Sequence, residues 1–303
     1  MASFSLQHIS TSDGTRLRTG VFEPEKKSRR VCLLLSGQTE FIEKYLEVIG
    51  ELNARGFTVA TFDWRGQGGS ARALSDPLKS HVGDFAEYDD DLASFLDQVV
   101  TPISPAPPLV LAHSLGGHIA LRALHDRPGL FRAAVLTAPM IGVSTRGYPN
   151  FLVRIVPVLY DKCGRGDDFA WGMAERDPFL VDFTTQLCTT DEKRFARTQA
   201  VLKANPALRL AGPTWHWISA AYRSMKQQTR PVYAEAIKAP VLIVGARRDR
   251  IVLTGAEREF AAHLPSGQYV ELEDSEHEIL MEADSIRTCF WQAFDEFVEK
   301  NIA

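Results

Sequence analysis

Short runs of hydrophobic residues alternate with helical patterns along the first half of the chain. Four runs have the length and composition of strands that are buried on both faces, at residues 31–35, 58–62, 109–112 and 133–137. Between them, hydrophobic positions recur at helical spacing over residues 43–55, 85–100 and 115–125. Strands that alternate with helices of this length predict βαβ units and a parallel sheet.

The two ends of the chain extend this pattern. Apolar and polar residues alternate around Ser12, Asp13 and Gly14, which predicts an N-terminal β-hairpin. Near the other end, two strand-like runs are followed by helical patterns, at residues 241–244, 257–263, 268–272 and 284–299.

The alternation is interrupted between residues 141 and 228. Aromatic and aliphatic residues recur there at helical spacing, among them Phe151, Trp215 and Trp217. We therefore predict an α/β fold with a mostly parallel sheet flanked by helices, into which a helical cap is inserted. The predicted division is core over residues 1–140, cap segment over 141–230 and core again over 231–303.

Composition narrows the class of protein. The chain of 303 residues is 45% hydrophobic and 24% charged, and its net charge of −4 argues against a nucleic-acid partner. The four cysteines lie far apart without C-x-x-C spacing, which favours reduced thiols over disulfides or a zinc site. No signal-peptide pattern or membrane-length apolar run is visible, so we expect a soluble, cytoplasmic protein.

The most informative motif is Ala-His-Ser-Leu-Gly at residues 112–116, where a predicted strand turns into a predicted helix. This context is typical of a nucleophile elbow, G-x-S-x-G, which exposes a serine hydroxyl at the tip of a sharp turn. Ala112 is one methyl group larger than the motif asks. Such a motif also arises by chance, so the interpretation of Ser114 as a nucleophile depends on its partners.

A nucleophilic serine needs a histidine base that is oriented by a carboxylate. Asp249 and His277 each follow a late strand, in the order Ser, Asp, His that this fold uses. Asp274 is a rival acid, but it lies only three residues before His277 in the same loop. His113 is too close to Ser114 in sequence to reach its hydroxyl easily.

The oxyanion of an acyl-transfer intermediate needs backbone N–H donors. We expect one from Leu115, which follows the serine, and one from Gln38, in the loop after the strand at residues 31–35. We call residues 36–40 the oxyanion loop. Glu40 either braces this loop or caps a helix. The glycine-rich turn at residues 63–70 does not lead into a helix, so a nucleotide site there is disfavoured.

These residues together resemble the α/β-hydrolase superfamily, and more closely the bacterial lysophospholipase and monoacylglycerol lipase group of serine aminopeptidase-like hydrolases. The matching segments lie at residues 37–40, 44–45, 63–68, 81–85, 112–116, 177–179 and 212–215, with Asp249 and His277. Two departures are Ala112 at the elbow and Ser36, which stands where many relatives have histidine.

The resemblance implies a serine esterase that works through an acyl-enzyme without a metal or organic cofactor. The expected substrate is a single-chain lipid ester, a lysophospholipid or a monoacylglycerol. Phe151, Trp215 and Trp217 would line the acyl chain, and the cap would transiently contact a membrane surface; ordinary packing is the alternative for each.

The sequence does not identify a phosphate contact, and it allows alternative functions. Arg146, Arg154 and Lys162 are candidates for contacting a phosphate, and nothing in the sequence chooses among them. The alternative functions are a small-molecule carboxylesterase, a prolyl aminopeptidase-like peptidase, and a non-catalytic protein that binds a ligand under its cap. An epoxide hydrolase or haloalkane dehalogenase is disfavoured because those enzymes carry aspartate at the position of Ser114. The oligomeric state is not predicted.

Overall fold

A mixed β-sheet forms the centre of the computed structural model, which describes residues 4–145, 147–173 and 181–302. Within these residues eight strands form the sheet, in the order β1-β2-β4-β3-β6-β7-β9-β10, and β5 pairs with β8. The strands are β1 Phe4–Ser10, β2 Arg16–Phe22, β3 Val31–Leu35, β4 Thr58–Phe62, β5 Lys79–Ser80, β6 Leu109–His113, β7 Ala133–Thr137, β8 Gly212–Pro213, β9 Val241–Ala246 and β10 Gly267–Leu272.

Helices flank this sheet, and others form most of the segment between β7 and β9. They are α1 Leu46–Ala54, α2 Ala86–Phe95, α3 Thr101–Ile103, α4 Leu115–Asp126, α5 Asn150–Lys162, α6 Glu192–Ala204, α7 Trp215–Gln228, α8 Pro231–Ala236, α9 Thr254–His263 and α10 Asp284–Ile302. Short 3₁₀ turns precede α1, α7 and α10, at Ile42–Tyr45, Pro206–Leu208 and Ile279–Met281, and a π-helical turn at Leu96–Val100 joins α2 to α3.

The predicted fold class is confirmed. Every residue of β3, β4, β6 and β7 is buried, as expected for strands covered by helices on both faces. The strands from β4 to β10 along the sheet pair in parallel, whereas β1, β2 and β4 pair antiparallel. The predicted N-terminal hairpin is β1 and β2.

The chain between β7 and β9 contains α5, α6, α7 and α8, which matches the helical character expected of the cap segment. This segment also contains the short strand β8, which pairs in parallel with β5. A strand of two residues has no periodicity that a sequence pattern can show. The boundaries 141 and 230 stay a prediction, and residues 177–179 lie outside the described part of the chain.

All four cysteines are free thiols, and Cys32 is buried in β3. Among the described residues, no helix has both the length and the apolar composition needed to cross a membrane.

Candidate active site

Ser114 occupies the sharp turn between β6 and α4. Its φ of 49° and ψ of −111° are strained for a residue with a side chain. Three backbone hydrogen bonds hold this conformation. The Ser114 amide donates to the Thr137 carbonyl at 3.0 Å, and the Ser114 carbonyl accepts from the amides of His118 and Met140, each at 3.0 Å. The turn therefore has the geometry of a nucleophile elbow.

Gly116 explains why the elbow needs a small residue after the serine. A Cβ atom at this position would lie 2.5 Å from the Leu35 carbonyl oxygen and 2.7 Å from that of Ser36. The first turn of α4 can therefore approach the end of β3 only with glycine here. Ala112 is fully buried within β6, so the larger residue before the serine is accommodated by the sheet.

The structure brings Ser114, His277 and Asp249 together. His277 Nε2 lies 3.1 Å from Ser114 Oγ, and His277 Nδ1 lies 2.6 Å from Asp249 Oδ2. Asp249 Oδ1 accepts hydrogen bonds from the amides of Ile251 at 2.7 Å and Val252 at 2.9 Å. Burial by itself raises the pKa of Asp249, but His277 and these two amides hold the pKa below its ordinary value. The carboxylate thus stays ionised beside the imidazole.

Asp274, the rival acid, does not approach the histidine through any hydrogen bond among the described residues. Its exposed carboxylate accepts a hydrogen bond from Arg248 at 2.5 Å. Asp249, which comes after β9, faces the far nitrogen of the ring, whereas Asp274 points to a guanidinium at the surface. The geometry therefore favours Asp249 as the orienting acid.

The histidines that flank Ser114 in sequence have other partners. His113 Nδ1 lies 3.1 Å from the Thr137 carbonyl oxygen, and burial lowers the pKa of His113 to about 4. His118 Nδ1 lies 2.7 Å from the Met140 carbonyl oxygen, and burial lowers the pKa of His118 to about 3. Both rings are therefore neutral near pH 7 and are engaged in holding the backbone around the elbow.

The oxyanion loop is held from one side by Gln67, which the sequence did not single out. Gln67 Nε2 donates to the Gly37 carbonyl at 2.8 Å, and Gln67 Oε1 accepts from the Thr39 amide at 3.2 Å. Among the described residues, the amides of Gln38 and Leu115 have no intramolecular acceptor. Leu115 is the first residue of α4, where a helix leaves its N–H groups unpaired. Both amides are thus available to a ligand oxygen.

A buried ionic group holds the same loop from the other side. Glu40 accepts hydrogen bonds from the Gly37 amide and, at 2.5 Å, from the Tyr45 hydroxyl. Lys44 Nζ lies 2.6 Å from Glu40 Oε1 and 2.7 Å from an oxygen of Glu278, the residue after His277. Of the two interpretations of Glu40, the structure favours the brace over the helix cap. Lys44 ties the oxyanion loop to the histidine loop.

Ser36 shows how the loop is anchored where many relatives have histidine. Its carbonyl accepts a hydrogen bond from the indole of Trp64 at 2.9 Å. Its hydroxyl is buried and has no hydrogen-bond partner among the described residues. The backbone of Ser36 is therefore fixed although its side chain contributes no polar contact.

The three predicted substrate-lining residues lie in different surroundings. Phe151 is exposed on α5. Trp215 is buried, and its ring centre lies 4.7 Å from that of Tyr160. Trp217 is buried, and its indole donates to the Tyr88 hydroxyl at 3.0 Å. The contacts of both tryptophans are those of packing, the alternative raised from the sequence, and a lining role stays a prediction.

Comparison with known proteins shows which family and which relatives the chain resembles. Residues 26–284 match the sequence profile of the family described as serine aminopeptidase, S33. Lysophospholipase L2 of Escherichia coli (strain K12) is 32% identical over 280 residues, which cover 90% of this chain and 81% of that protein. Monoacylglycerol lipase of Mycolicibacterium smegmatis is 27% identical over 248 residues, or 81% of this chain and 79% of its own length.

A solved structure with a similar fold is a soluble variant of monoglyceride lipase from Saccharomyces cerevisiae in complex with a substrate analog. Its TM-score is 0.76 at 19% identity, and the match covers 99% of this chain and 97% of that one. At this identity the likeness is one of fold.

Proposed function

The chain belongs to the serine aminopeptidase, S33 family of hydrolases, and from this premise we propose that it hydrolyses single-chain lipid esters, a lysophospholipid or a monoacylglycerol, at Ser114. The observation that carries the proposal is the chain of short contacts from Ser114 Oγ through the His277 ring to the Asp249 carboxylate. This arrangement supplies a nucleophile, a base and an orienting acid.

In the proposed mechanism His277 Nε2 takes the hydroxyl proton as Ser114 Oγ attacks the ester carbonyl carbon. The carbonyl oxygen becomes an oxyanion, which accepts hydrogen bonds from the amides of Gln38 and Leu115. His277 then gives its proton to the departing alcohol, and an acyl group remains on Ser114. Water, activated by the same histidine, releases the acid. The steps need no metal or organic cofactor.

The lipid part of the proposal is supported by the named activities of the relatives and by the surface of α5. Four large side chains at positions i, i+4, i+7 and i+8 share one face of this helix: Phe151, Ile155, Val158 and Leu159. All four are exposed, Phe151 to 61%. A contiguous exposed apolar face indicates an interaction surface.

We further propose that this α5 face rests on a lipid surface while the enzyme collects its substrate. Arg154 and Lys162 are exposed on the same helix, where they would meet lipid phosphates. Arg146, the third phosphate candidate, lies outside the described residues. A cytoplasmic location stays a prediction.

Two assays test the chemistry and the substrate. A fluorophosphonate probe should label Ser114 in the wild-type chain and fail to label the His277→Ala variant. Initial rates should rise along a series of p-nitrophenyl esters from short to long acyl chains. The enzyme should also hydrolyse lysophosphatidylcholine or monoolein. The absence of labelling would support a non-catalytic ligand-binding protein. Preference for the shortest ester would support a carboxylesterase, and release of N-terminal residues from peptides would support a peptidase.

The α5 face is tested by flotation with vesicles of phosphatidylcholine and phosphatidylglycerol. We expect the double substitution Phe151→Ser and Leu159→Ser to reduce the bound fraction. Val232 on α8 is also exposed, to 67%, so Val232→Ser is the matched control and should bind as wild type does. Equal binding of all three proteins would refute the membrane contact while leaving the esterase chemistry untouched.

A further inference from the structure

Three segments that are distant in sequence converge where the cap segment meets the loop after β5. The parallel pairing of β5 with β8 and a hydrogen bond from the Thr214 amide to the Ser80 carbonyl at 3.0 Å bring His81 next to the start of α7. There His81 faces Asp167 and His216, and the potential ligand atoms of these three residues all lie within 4.8 Å of one another. None of the three belongs to the site around Ser114.

The imidazole of His216 is fixed in orientation by its surroundings. The His216 amide donates to the Gly166 carbonyl at 2.9 Å, and a Cβ atom at position 166 would lie 2.5 Å from the ring, so the ring rests on bare glycine backbone. Nδ1 of His216 lies 2.9 Å from Asp167 Oδ1, while Nε2 contacts a carboxylate oxygen of Asp161. One ring nitrogen thus faces the cluster and the other a carboxylate behind it.

His81 and His216 approach the same carboxylate oxygen of Asp167. His81 Nδ1 lies 3.7 Å from Asp167 Oδ1 and 3.1 Å from the Thr214 hydroxyl oxygen. In a neutral imidazole one ring nitrogen keeps a lone pair that can bind a metal ion. The carboxylates of Asp161 and Asp167 contact the two ring nitrogens of His216.

We propose that His81, Asp167 and His216 bind one divalent transition-metal ion, for which Zn²⁺ is the best match. Two imidazole nitrogens and a carboxylate oxygen form a donor set that Zn²⁺ favours. Bonds of about 2.0–2.1 Å place tetrahedral ligand atoms roughly 3.4 Å apart, which is close to the separations of 2.9 and 3.7 Å measured around Asp167 Oδ1.

Asp161 contacts His216 in the way that a carboxylate supports a metal-bound histidine. A metal-bound histidine usually donates its other ring N–H to a carboxylate, which fixes its tautomer and strengthens the bond to the metal. The contact of His216 Nε2 with Asp161 is this arrangement. The Thr214 hydroxyl, which accepts from the Trp217 amide at 3.3 Å, still caps α7 when a metal displaces its bond to His81.

The ion would hold the cap segment against the core, because His81 follows β5, whereas Asp167 lies between α5 and α6 and His216 lies in the first turn of α7. Ser80, the neighbour of His81, has its hydroxyl 3.4 Å from Nε2 of Gln38 in the oxyanion loop. The site is therefore structural and adjoins the loop that we assign to the oxyanion, without taking part in ester chemistry. It does not rest on the proposed function.

The test uses the full chain, stripped with a chelator and titrated with Zn²⁺ by calorimetry. We expect one ion per chain and a rise in melting temperature on binding. His216→Gln and Asp167→Asn should weaken binding more than about 100-fold, and Asp161→Asn by about 10- to 100-fold, as for carboxylates behind a ligand. His8 is exposed on β1, so His8→Gln is the matched control and should bind as wild type does.

Co²⁺ provides a readout that does not depend on stability. Its visible d–d absorption should appear with the wild-type chain and with His8→Gln, and should disappear with His216→Gln. Far-UV circular dichroism shows whether each variant is folded. Failure of the wild-type chain to bind Zn²⁺, or binding that is unchanged in both His216→Gln and Asp167→Asn, would overturn the proposal, whatever the esterase assays give.

Discussion

Replacement of Lys44 by methionine is the most direct test of how the site is held together. The Lys44 side chain is only 6% exposed and lies between the carboxylates of Glu40 and Glu278. Methionine has a similar length but no charge, so the variant keeps the packing and removes the only cation that contacts both carboxylates among the described residues. Two poorly solvated negative charges then face each other.

The expected loss of stability is large. Breaking a buried ion pair by removing one partner costs about 3–5 kcal/mol, because the remaining charge stays buried without compensation. For a chain of this size that loss corresponds to a melting temperature roughly 5–8 °C lower. The turnover number should fall by about tenfold or more, since Glu40 would hold the Gly37 amide less firmly and a displaced oxyanion donor costs up to 10²–10³-fold.

Urea unfolding and steady-state kinetics with a p-nitrophenyl ester measure the two effects. Lys193 is exposed on α6, so Lys193→Met is the matched control and should change the free energy of unfolding by no more than about 0.5 kcal/mol. Adding Glu40→Gln and Glu278→Gln to Lys44→Met should recover much of the stability, because no buried charge is left unpaired. A Lys44→Met protein whose free energy of unfolding lies within about 1 kcal/mol of wild type would refute the reasoning, because that difference is close to the extrapolation uncertainty of about 10–15%.

Three further predictions concern the site and its surroundings. Asp249→Asn should lower the turnover number by about 10³- to 10⁴-fold, because the amide no longer orients the His277 ring, whereas Asp274→Asn should leave the rate unchanged; equal losses would contradict our assignment of the acid. Gln67→Leu should lower the turnover number by about tenfold or more with little change in KM, because three hydrogen bonds to the oxyanion loop are lost. The buried His118, with its pKa lowered to about 3, binds no proton in the folded state at pH 4–6 although the unfolded chain does, so stability falls as pH decreases. Urea titrations of His118→Gln from pH 6 to pH 4 should therefore show a shallower decline, by about 1.4 kcal/mol per pH unit.

The parts of this molecule that the sequence predicts are those set by local patterns. β3, β4, β6 and β7 are apolar throughout because helices bury both of their faces, and this signature stands out in the sequence. Ser114 is identifiable because an elbow needs small neighbours at fixed spacing. The positions of Asp249 and His277 follow from the rule that loops after parallel strands meet at one edge of the sheet.

The contacts that hold the site depend instead on tertiary structure. Gln67 lies in the turn at residues 63–70, whose recognisable sequence feature is its glycines. Its side-chain amide donates to Gly37, which lies about 30 positions earlier in the chain. Lys44 meets Glu278 across more than two hundred residues. Nothing in the local pattern of either side chain distinguishes it from a solvated surface residue, since its burial results from the folding of other segments around it.

The same reasoning explains why the oxyanion loop needs so many supports. The Gln38 amide, which we propose as an oxyanion donor, must point at a developing charge and so cannot bond within the protein, which removes a contact that would normally order the loop. Gln67, Glu40 and Ser80 replace that contact through the residues beside Gln38 and through its side chain. Each support leads to a different part of the fold: the turn after β4, the histidine loop by way of Lys44, and the cap junction by way of β5. The loop can therefore stay ordered while Gln38 N–H remains free for a substrate.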